Sequence, residues 1–152
     1  MREHDRISHA RAIWAETVDG HGELAEVYLA ARGVDLDALE AVYGWRVPPA
    51  LRFHRRCTVG PREDRHIGPA MVGGIFDARG HFRGIHRTFL NRDGTAKAGI
   101  ASDKAMLGAA WGGFTVLTPP IQHAHDRRAA EVIVGEGYET TLTMVAALAR
   151  QG

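Results

Sequence analysis

Residues 70–90 read AMVGGIFDARGHFRGIHRTFL, and this stretch decides the fold. Two runs rich in apolar residues, 70–76 and 82–90, flank the short sequence DARG. Such runs on either side of a glycine-containing segment predict two antiparallel strands joined by a tight turn. The strands contain three glycines, which indicate bulges or close approach of another chain segment: Gly73, Gly74 and Gly84.

The flanking sequence extends the β-rich block. ALRFH at 50–54 alternates between apolar and polar residues, and FTVL at 114–117 offers one more strand. Residues 95–113 have no clear period and carry Lys97 and Lys104 among small residues. A glycine-rich stretch with spaced cations is more often a functional loop than a core element. We therefore expect both lysines to lie in a loop.

The first 45 residues predict three short helices. Apolar residues at helical spacing predict a first helix with Ser8 as its cap and Gly20 as its stop, and a second helix that ends at Gly33. Asp35 or Asp37 can cap the third. Each helix buries one face, so we expect the aromatic residues of this leader to lie in the core: Trp14, Tyr28, Tyr43 and Trp45.

The last segment predicts one βα unit. EVIVG at 131–135 is almost continuously apolar, which is typical of a buried strand in a parallel sheet. A helix then begins at Thr140 or Thr141. The sequence GEG at 135–137 lies where the strand turns into the helix. Its glycines permit a sharp turn and leave the Glu136 carboxylate at the carboxyl end of the strand, where open parallel sheets bind ligands.

Composition limits the class of protein. A chain of 152 residues with 45% hydrophobic residues can bury the core of one domain, or of one and a half. It contains no run of eighteen apolar residues, and its charged N-terminus does not predict a secretory signal. The single cysteine, Cys57, excludes an internal disulfide. These features predict a cytoplasmic protein without a membrane segment.

Charge divides the chain into three parts, although the net charge is only +1. Residues 1–45 carry four Arg and Lys against nine Asp and Glu. Residues 46–104 carry twelve against five, a net charge of +7, and residues 105–152 carry three against four. The basic middle indicates a surface for phosphates or nucleic acid. An ordinary solvated, arginine-rich surface is the alternative.

The sequence VIVGEGYETTLT at 132–143 resembles the first motif of the Toprim domain, the catalytic fold of bacterial-type primases and topoisomerases. Its form is similar to that of DNA primases from plasmids, phages and integrative elements. The hairpin, the lysine-bearing stretch and DKAMLG at 103–108 resemble the region that precedes Toprim in those primases. The resemblance covers about two thirds of the chain, roughly residues 51–148.

This resemblance implies an α+β fold in three parts. A helical leader occupies 1–45, and a basic subdomain with a small antiparallel hairpin or sheet occupies 46–126. The first βα unit of an α/β Toprim fold occupies 127–152. The implied function is primer synthesis by Mg²⁺-dependent nucleotidyl transfer, with single-stranded DNA and nucleoside triphosphates as partners and a replicative helicase as a further candidate partner.

The resemblance also assigns roles to single residues. Glu136 is implied to be the general acid/base beside Mg²⁺ in the attack of a 3′-hydroxyl on a nucleoside triphosphate. Gly135, Gly137, Glu139 and Thr140 belong to the same motif, although Glu139 or Thr140 could act only as a helix cap. Four residues of the middle block are candidates for binding template or nucleotide phosphates: Arg87, Lys97, Lys104 and His86. For the two strand residues among them, a surface position without function is the alternative.

We do not expect one carboxylate to hold Mg²⁺ alone. The family supplies further ligands from an Asp-any-Asp motif on a later strand, and this sequence has none after Glu136. DLD at 35–37 has that spelling but lies in the leader, where a cap is the better interpretation. We therefore expect a fragment that makes no primers by itself. The paired cysteines of the family's zinc module are also missing, so no zinc is expected.

Two other functions remain open. A non-catalytic module could keep the basic hairpin for binding nucleic acid or a replication partner. A topoisomerase or recombination-type Toprim protein is less favoured, because neither carries this leader.

Overall fold

The computed structural model describes residues 1–118 and 132–151. Within these ranges the protein is a mixed fold of four α-helices and one five-stranded antiparallel sheet, in which strand order follows chain order. The elements are α1 Glu3–Ala15, β1 Val18–Asp19, α2 Leu24–Ala31, α3 Leu36–Tyr43, β2 Leu51–Val59, β3 His66–Phe76, β4 Phe82–Phe89, β5 Lys104–Gly108 and α4 Tyr138–Ala149. The predicted combination of a helical leader with an antiparallel sheet is confirmed.

The central hairpin forms as the sequence predicts. β3 and β4 pair antiparallel, and the Asp77 carboxylate closes the turn by accepting hydrogen bonds from the backbone N–H groups of Arg79 and His81, at 2.9 and 3.0 Å. Gly80 has a φ of 82°, which glycine adopts without steric penalty. The prediction for residues 70–90 is therefore confirmed.

The glycine-rich stretch after the hairpin contains a strand. β5 pairs antiparallel with β4, with Gly108 opposite Gly84 and Lys104 opposite Thr88. A Cβ on Gly84 would lie 2.3 Å from the carbonyl oxygen of Leu107, so the strands approach closely here, as the glycine predicted. The prediction that Lys104 lies in a loop is wrong, because β4 supplies the hydrogen-bond partners that make this short segment a strand.

The leader contains the three predicted helices, with different ends for the first. α1 starts upstream of Ser8, whose predicted capping role is wrong, because acidic side chains already stabilise an earlier first turn. It also ends at Ala15 rather than at Gly20, because residues 18 and 19 form β1 and pair with β2. The Asp35 carboxylate caps α3 by accepting a hydrogen bond from the backbone N–H of Ala38 at 3.0 Å, as predicted.

Residues 132–134 do not form a buried strand. They precede the GEG turn at 135–137, called the acidic turn below. Val132 and Val134 are 78% and 86% exposed, and only Ile133 packs against the core. No strand of the described ranges pairs with residues 132–135, so nothing buries both faces of this segment. That prediction is wrong in this structure, whereas the predicted helix after it is present as α4. The predicted strand FTVL is reduced to a single bridge between Phe114 and Phe76.

Hydrophobic clusters cover both faces of the sheet. The cluster under α1 combines Ile13 with sheet residues such as Ile85 and Phe89, and Trp14 packs against it. The cluster on the other face joins α2, α3 and α4 to the sheet through residues including Tyr28, Leu39, Met71, Leu142 and Val145. Tyr43 and Trp45 pack against this second cluster. The leader aromatics therefore lie in or against the core, as predicted.

α4 is fixed to the leader at its far end as well. The Arg150 Nε donates a hydrogen bond to the Asp35 carboxylate at 2.6 Å. The second cluster thus crosses the predicted domain boundary at residue 45, while the boundary predicted between 126 and 127 lies outside the described residues. None of the helices in the described ranges is long and apolar enough to cross a membrane.

Candidate nucleic-acid interface and acidic turn

The alternation of β4 sends neighbouring candidate residues to opposite faces of the sheet. His86 lies opposite Met106 in β5, Arg87 opposite Ala105, and Thr88 opposite Lys104. Directly paired residues share a face and successive residues alternate. The side chains of His86 and Lys104 therefore lie on the α4 face, and that of Arg87 lies on the α1 face.

Tyr138, the first residue of α4, seats the acidic turn on the sheet. Its hydroxyl lies 3.0 Å from the Thr115 hydroxyl, which donates to the carbonyl oxygen of Gly74 at 2.8 Å. A Cβ on Gly73 would lie 2.1 Å from the Tyr138 hydroxyl, so the absence of a side chain at Gly73 makes room for the helix. The His86 ring meets the Tyr138 ring edge to face at 5.1 Å. Burial raises the pKa of Tyr138 to about 12.

Glu139 links the leader to the sheet. Its carboxylate accepts a hydrogen bond from the Tyr28 hydroxyl at 2.6 Å, and the Lys104 Nζ lies 3.3 Å from Oε1 and 3.4 Å from Oε2. Burial acts to raise the pKa of Glu139, but the Tyr28 hydrogen bond and the Lys104 charge help to hold that pKa below its ordinary value. Glu139 is therefore an ionised group within a network, which goes beyond the capping role left open by the sequence.

His86 is a neutral member of this cluster. Burial, and then the positive charge of Lys104, lower the pKa of His86 below its ordinary value, and the opposing influence of Glu139 is smaller. At neutral pH the ring is uncharged, so His86 contributes a contact surface and no cation. The positive charge of the cluster resides on Lys104, whose side chain is 36% exposed.

Glu136 lies in the exposed turn just before α4. The turn is tight, since a Cβ on Gly135 would lie 2.2 Å from the Thr141 hydroxyl, which donates to the Gly137 carbonyl oxygen at 2.8 Å. Gly137 is the N-cap residue of α4, and Thr140 is exposed in the first turn. The structure thus leaves the Glu136 carboxylate in solvent, at the N-terminal end of a helix.

The described residues do not form a magnesium site. Within residues 1–118 and 132–151, no group of three or more His, Cys, Asp or Glu side chains is placed to hold a metal ion. Glu136 therefore belongs to no such group in these ranges, and Mg²⁺ needs further oxygen ligands besides a single carboxylate. No chemical step through a metal follows from the part of the chain that is described.

Lys97 lies in the loop between β4 and β5, as predicted. Its Nζ is 3.8 Å from the Asp103 carboxylate, a loose ion pair, and its side chain is 38% exposed. Asp103 immediately precedes Lys104, so the two lysines belong to one stretch of surface. Both remain accessible to an external anion.

Arg87 is separated from the other candidates. It is only 6% exposed, and its guanidinium Nη1 donates to the carbonyl oxygen of Thr58 at 2.6 Å. Burial lowers the pKa of Arg87, but arginine begins from so high a pKa that the side chain stays charged at neutral pH. In this position Arg87 holds β2 to β4 and does not reach an external phosphate. The structure therefore places His86 and Lys104 on one face beside Glu139, connects Lys97 to them only through Asp103, and separates Arg87 on the other face.

Sequence reasoning missed a groove of about 580 Å³ between the start of α2, the first half of β2, the start of β3 and the chain that follows β4. Its floor is apolar, and its polar lining includes Arg55, His66, Asn91 and Arg92. Arg55 pairs with Glu23 at 3.0 Å, whereas Arg92 makes no ion pair within the described ranges. Ala98 lines the same groove, which puts the Lys97 loop beside it. The only sequence signal was Arg92 in the sequence NRDG at 91–94, and it was not distinctive.

Fold and site together define a small mixed domain with a cationic surface at the edge of an antiparallel sheet. The chain belongs to the DUF7146 family, a domain of unknown function, whose model matches residues 4–117. The matched range contains the leader, the whole sheet and the groove, and it stops before the acidic turn. No curated protein and no solved structure matches the chain.

Proposed function

We propose that this chain is the N-terminal portion of a Toprim-type DNA primase. Its basic surface binds single-stranded DNA or nucleotide phosphates, and its acidic turn contributes Glu136 to nucleotidyl transfer. The observation that carries the proposal is the meeting of Lys104 and Glu139. The two residues are 35 positions apart, and each lies in one of the two segments that resemble the primase family.

The exposure of the lysines and of Glu136 supports separate roles for them, in phosphate binding and in nucleotidyl transfer. Two of the predicted phosphate-binding cations remain open to a phosphate, Lys97 and Lys104, and Arg92 lies in the groove beside the Lys97 loop. Glu136 lies in the turn that precedes Tyr138 and Glu139 and is itself exposed. A nucleotide bound through Lys104 would therefore have a free carboxylate within the neighbouring turn.

Binding is tested by fluorescence anisotropy with a short labelled oligonucleotide at several salt concentrations. The chain should bind at low salt, and log affinity should fall linearly with log salt because bound counterions are released. Replacing both Lys97 and Lys104 by Ala should make that slope less steep by about 1.4, since each phosphate contact on a single strand contributes about 0.7. Arg79→Ala, in the hairpin turn, is the control and should change nothing. Absence of binding at low salt would overturn the proposal.

Catalysis is tested by primer synthesis from labelled nucleotides on a single-stranded template. The 152-residue chain should be inactive, and a chain that also carries the family's Asp-any-Asp strand should be active. In that active chain, Glu136→Gln should reduce synthesis by about 10²-fold or more, as expected for loss of a general acid/base. Near-normal synthesis by folded Glu136→Gln protein would show that Glu136 has no catalytic role.

A non-catalytic nucleic-acid-binding module is the second candidate function. The family boundary favours it, because residues 4–117 include the exposed lysines and the groove but exclude the acidic turn. In that case the oligonucleotide experiment succeeds, and no chain carrying the acidic turn synthesises primers.

A further inference from the structure

We propose that Tyr28 is a positioning residue that keeps Lys104 available to an external phosphate by holding Glu139. The inference rests on the proposed function of the same site, since the phosphate is that of a nucleic acid or nucleotide. It adds a residue of the helical leader, 111 positions away from Glu139, to a site assembled from the sheet and α4.

The geometry shows an unequal division of the Glu139 carboxylate between its two partners. The Tyr28 hydroxyl donates at 2.6 Å, which is within the range of short hydrogen bonds to a charged oxygen. Lys104 lies at 3.3 and 3.4 Å, longer than the 2.7–2.9 Å that is usual for an ammonium bound to a carboxylate. Tyr28 therefore provides the tight contact and Lys104 the loose one.

Burial is divided in the same way. Tyr28 is fully buried, and the Glu139 side chain is 12% exposed, whereas the Lys104 side chain is 36% exposed. A carboxylate so deeply buried must keep hydrogen-bond partners, because leaving a buried charge unpaired is strongly destabilising. A tyrosine hydroxyl meets that need without using a positive charge.

The consequence concerns the ammonium group of Lys104. If Tyr28 lost its hydroxyl, Lys104 would be the remaining side-chain partner of Glu139, and a closer ion pair between them would replace the lost hydrogen bond. An ammonium neutralised by an internal carboxylate attracts a phosphate less strongly. The Tyr28 hydroxyl thus leaves the charge of Lys104 directed to solvent.

Tyr28→Phe is the decisive variant, because it keeps the buried ring and removes only the hydroxyl. We expect the oligonucleotide affinity to fall about three- to tenfold at low salt, with a slope of log affinity against log salt that is less steep by about 0.7. Lys104→Ala should have a similar effect, and the double variant should bind no more weakly than Lys104→Ala alone. Tyr43→Phe makes the same chemical change elsewhere in the leader and should leave binding unaltered.

A purely structural role for Tyr28 gives a different result. Tyr28→Phe would then lower the melting temperature, while the folded protein would keep its affinity and salt slope, and that outcome would overturn the inference. Glu139→Gln supplies a second route should Tyr28→Phe not fold. It removes the competing charge, so binding should strengthen. Unchanged or weaker binding by folded Glu139→Gln protein would also overturn the inference.

Inorganic triphosphate, followed through the NMR signals of Lys104, separates the two proposals. Binding of triphosphate without binding of DNA would contradict the proposed binding of DNA, and Tyr28→Phe would still test the positioning role against triphosphate. Binding of neither probe by the wild-type chain would overturn both proposals. Binding of DNA by the wild type, with full affinity and slope retained in Tyr28→Phe, would overturn only the positioning role.

Discussion

On the α1 face of the sheet, Arg87 is buried, and its guanidinium donates a hydrogen bond to the carbonyl oxygen of Thr58. On the α4 face, Lys104 holds a loose contact with Glu139 and keeps a third of its side chain in solvent. Both residues come from the same basic block, and both were predicted to bind phosphate. The comparison teaches that the position of a cation on the sheet, rather than the charge of its segment, decides whether an external anion can reach it.

The same lesson applies to the charge division of the whole chain. Arginines of the basic middle pair with acids of the leader: Arg46 with Glu26 and Glu40, Arg55 with Glu23, and Arg83 with Glu3. Part of the +7 charge is therefore matched by the acidic leader. Among the described residues, five exposed arginines of the basic middle make no ion pair: Arg56, Arg62, Arg65, Arg79 and Arg92.

The largest expected effect is the loss of stability when Arg87, the buried cation of this comparison, is replaced. Arg87→Ala removes a buried side chain and leaves the Thr58 carbonyl without its donor, at a cost of about 3 kcal/mol. The melting temperature should fall by about 10 °C in a chain of this size. Oligonucleotide affinity of the folded variant should not change. Arg56→Ala, at an exposed position of β2, is the control and should barely shift the melting temperature; weaker DNA binding by a stable Arg87→Ala protein would contradict the comparison.

Adjacent glycines of β3 sharpen the comparison between the faces. A Cβ at Gly73 would lie 2.1 Å from the Tyr138 hydroxyl, whereas one at Gly74 would lie 2.9 Å from Phe76 and 3.1 Å from Trp14. Gly73→Ala must therefore displace the start of α4, at about 2–3 kcal/mol, while Gly74→Ala needs only small ring shifts, at about 1 kcal/mol. Thermal melts give the two costs, and hydrogen exchange of α4 should increase only in Gly73→Ala. Equal losses of stability in the two variants would show that Tyr138 does not pack tightly against Gly73.

The smallest expected effect is a pH dependence that belongs to the α4 face. His86 has a lowered pKa in the folded protein, so the unfolded chain binds its proton first, and stability falls as pH drops below about 6.5. Glu139, with its lowered pKa, adds a loss at more acidic pH, below about 4.5. Melting temperatures between pH 8 and pH 5 should decline less in His86→Gln than in wild type. His9→Gln, at an exposed site of α1, should retain the wild-type decline; an identical decline in His86→Gln would disprove the assignment.

Local signals explain what could be predicted from the sequence. The turn at 77–80 and the cap at Asp35 depend on side chains that accept hydrogen bonds from backbone groups two to four residues away. Both could therefore be predicted from the local sequence. β5 was missed because its hydrogen bonds come from β4, and no pattern within KAMLG shows this. Residues 132–134 have strand-like composition, yet a strand needs a neighbour to pair with. Composition cannot supply one.

The sequence named some residues of the candidate site, but not their arrangement. Lys104 and Glu139 were both named from their motifs, but their contact depends on how α4 seats against Gly73. Tyr28 was correctly expected in the core, and nothing in its surroundings indicated that its hydroxyl reaches Glu139. The opposite placement of His86 and Arg87 could have been read from strand alternation alone, because consecutive residues of a strand face opposite sides.

The two links between α4 and the leader join residues that are far apart in the chain. Tyr28 and Glu139 are separated by 111 positions, and Asp35 and Arg150 by 115. Contacts of such long sequence separation are slow to form, because a large loop must close before they yield any energy. During synthesis, which proceeds from the N-terminus, the apolar side of the leader and sheet has to wait for α4 to emerge from the ribosome. Until then that apolar surface is exposed, and exposed apolar surface favours aggregation.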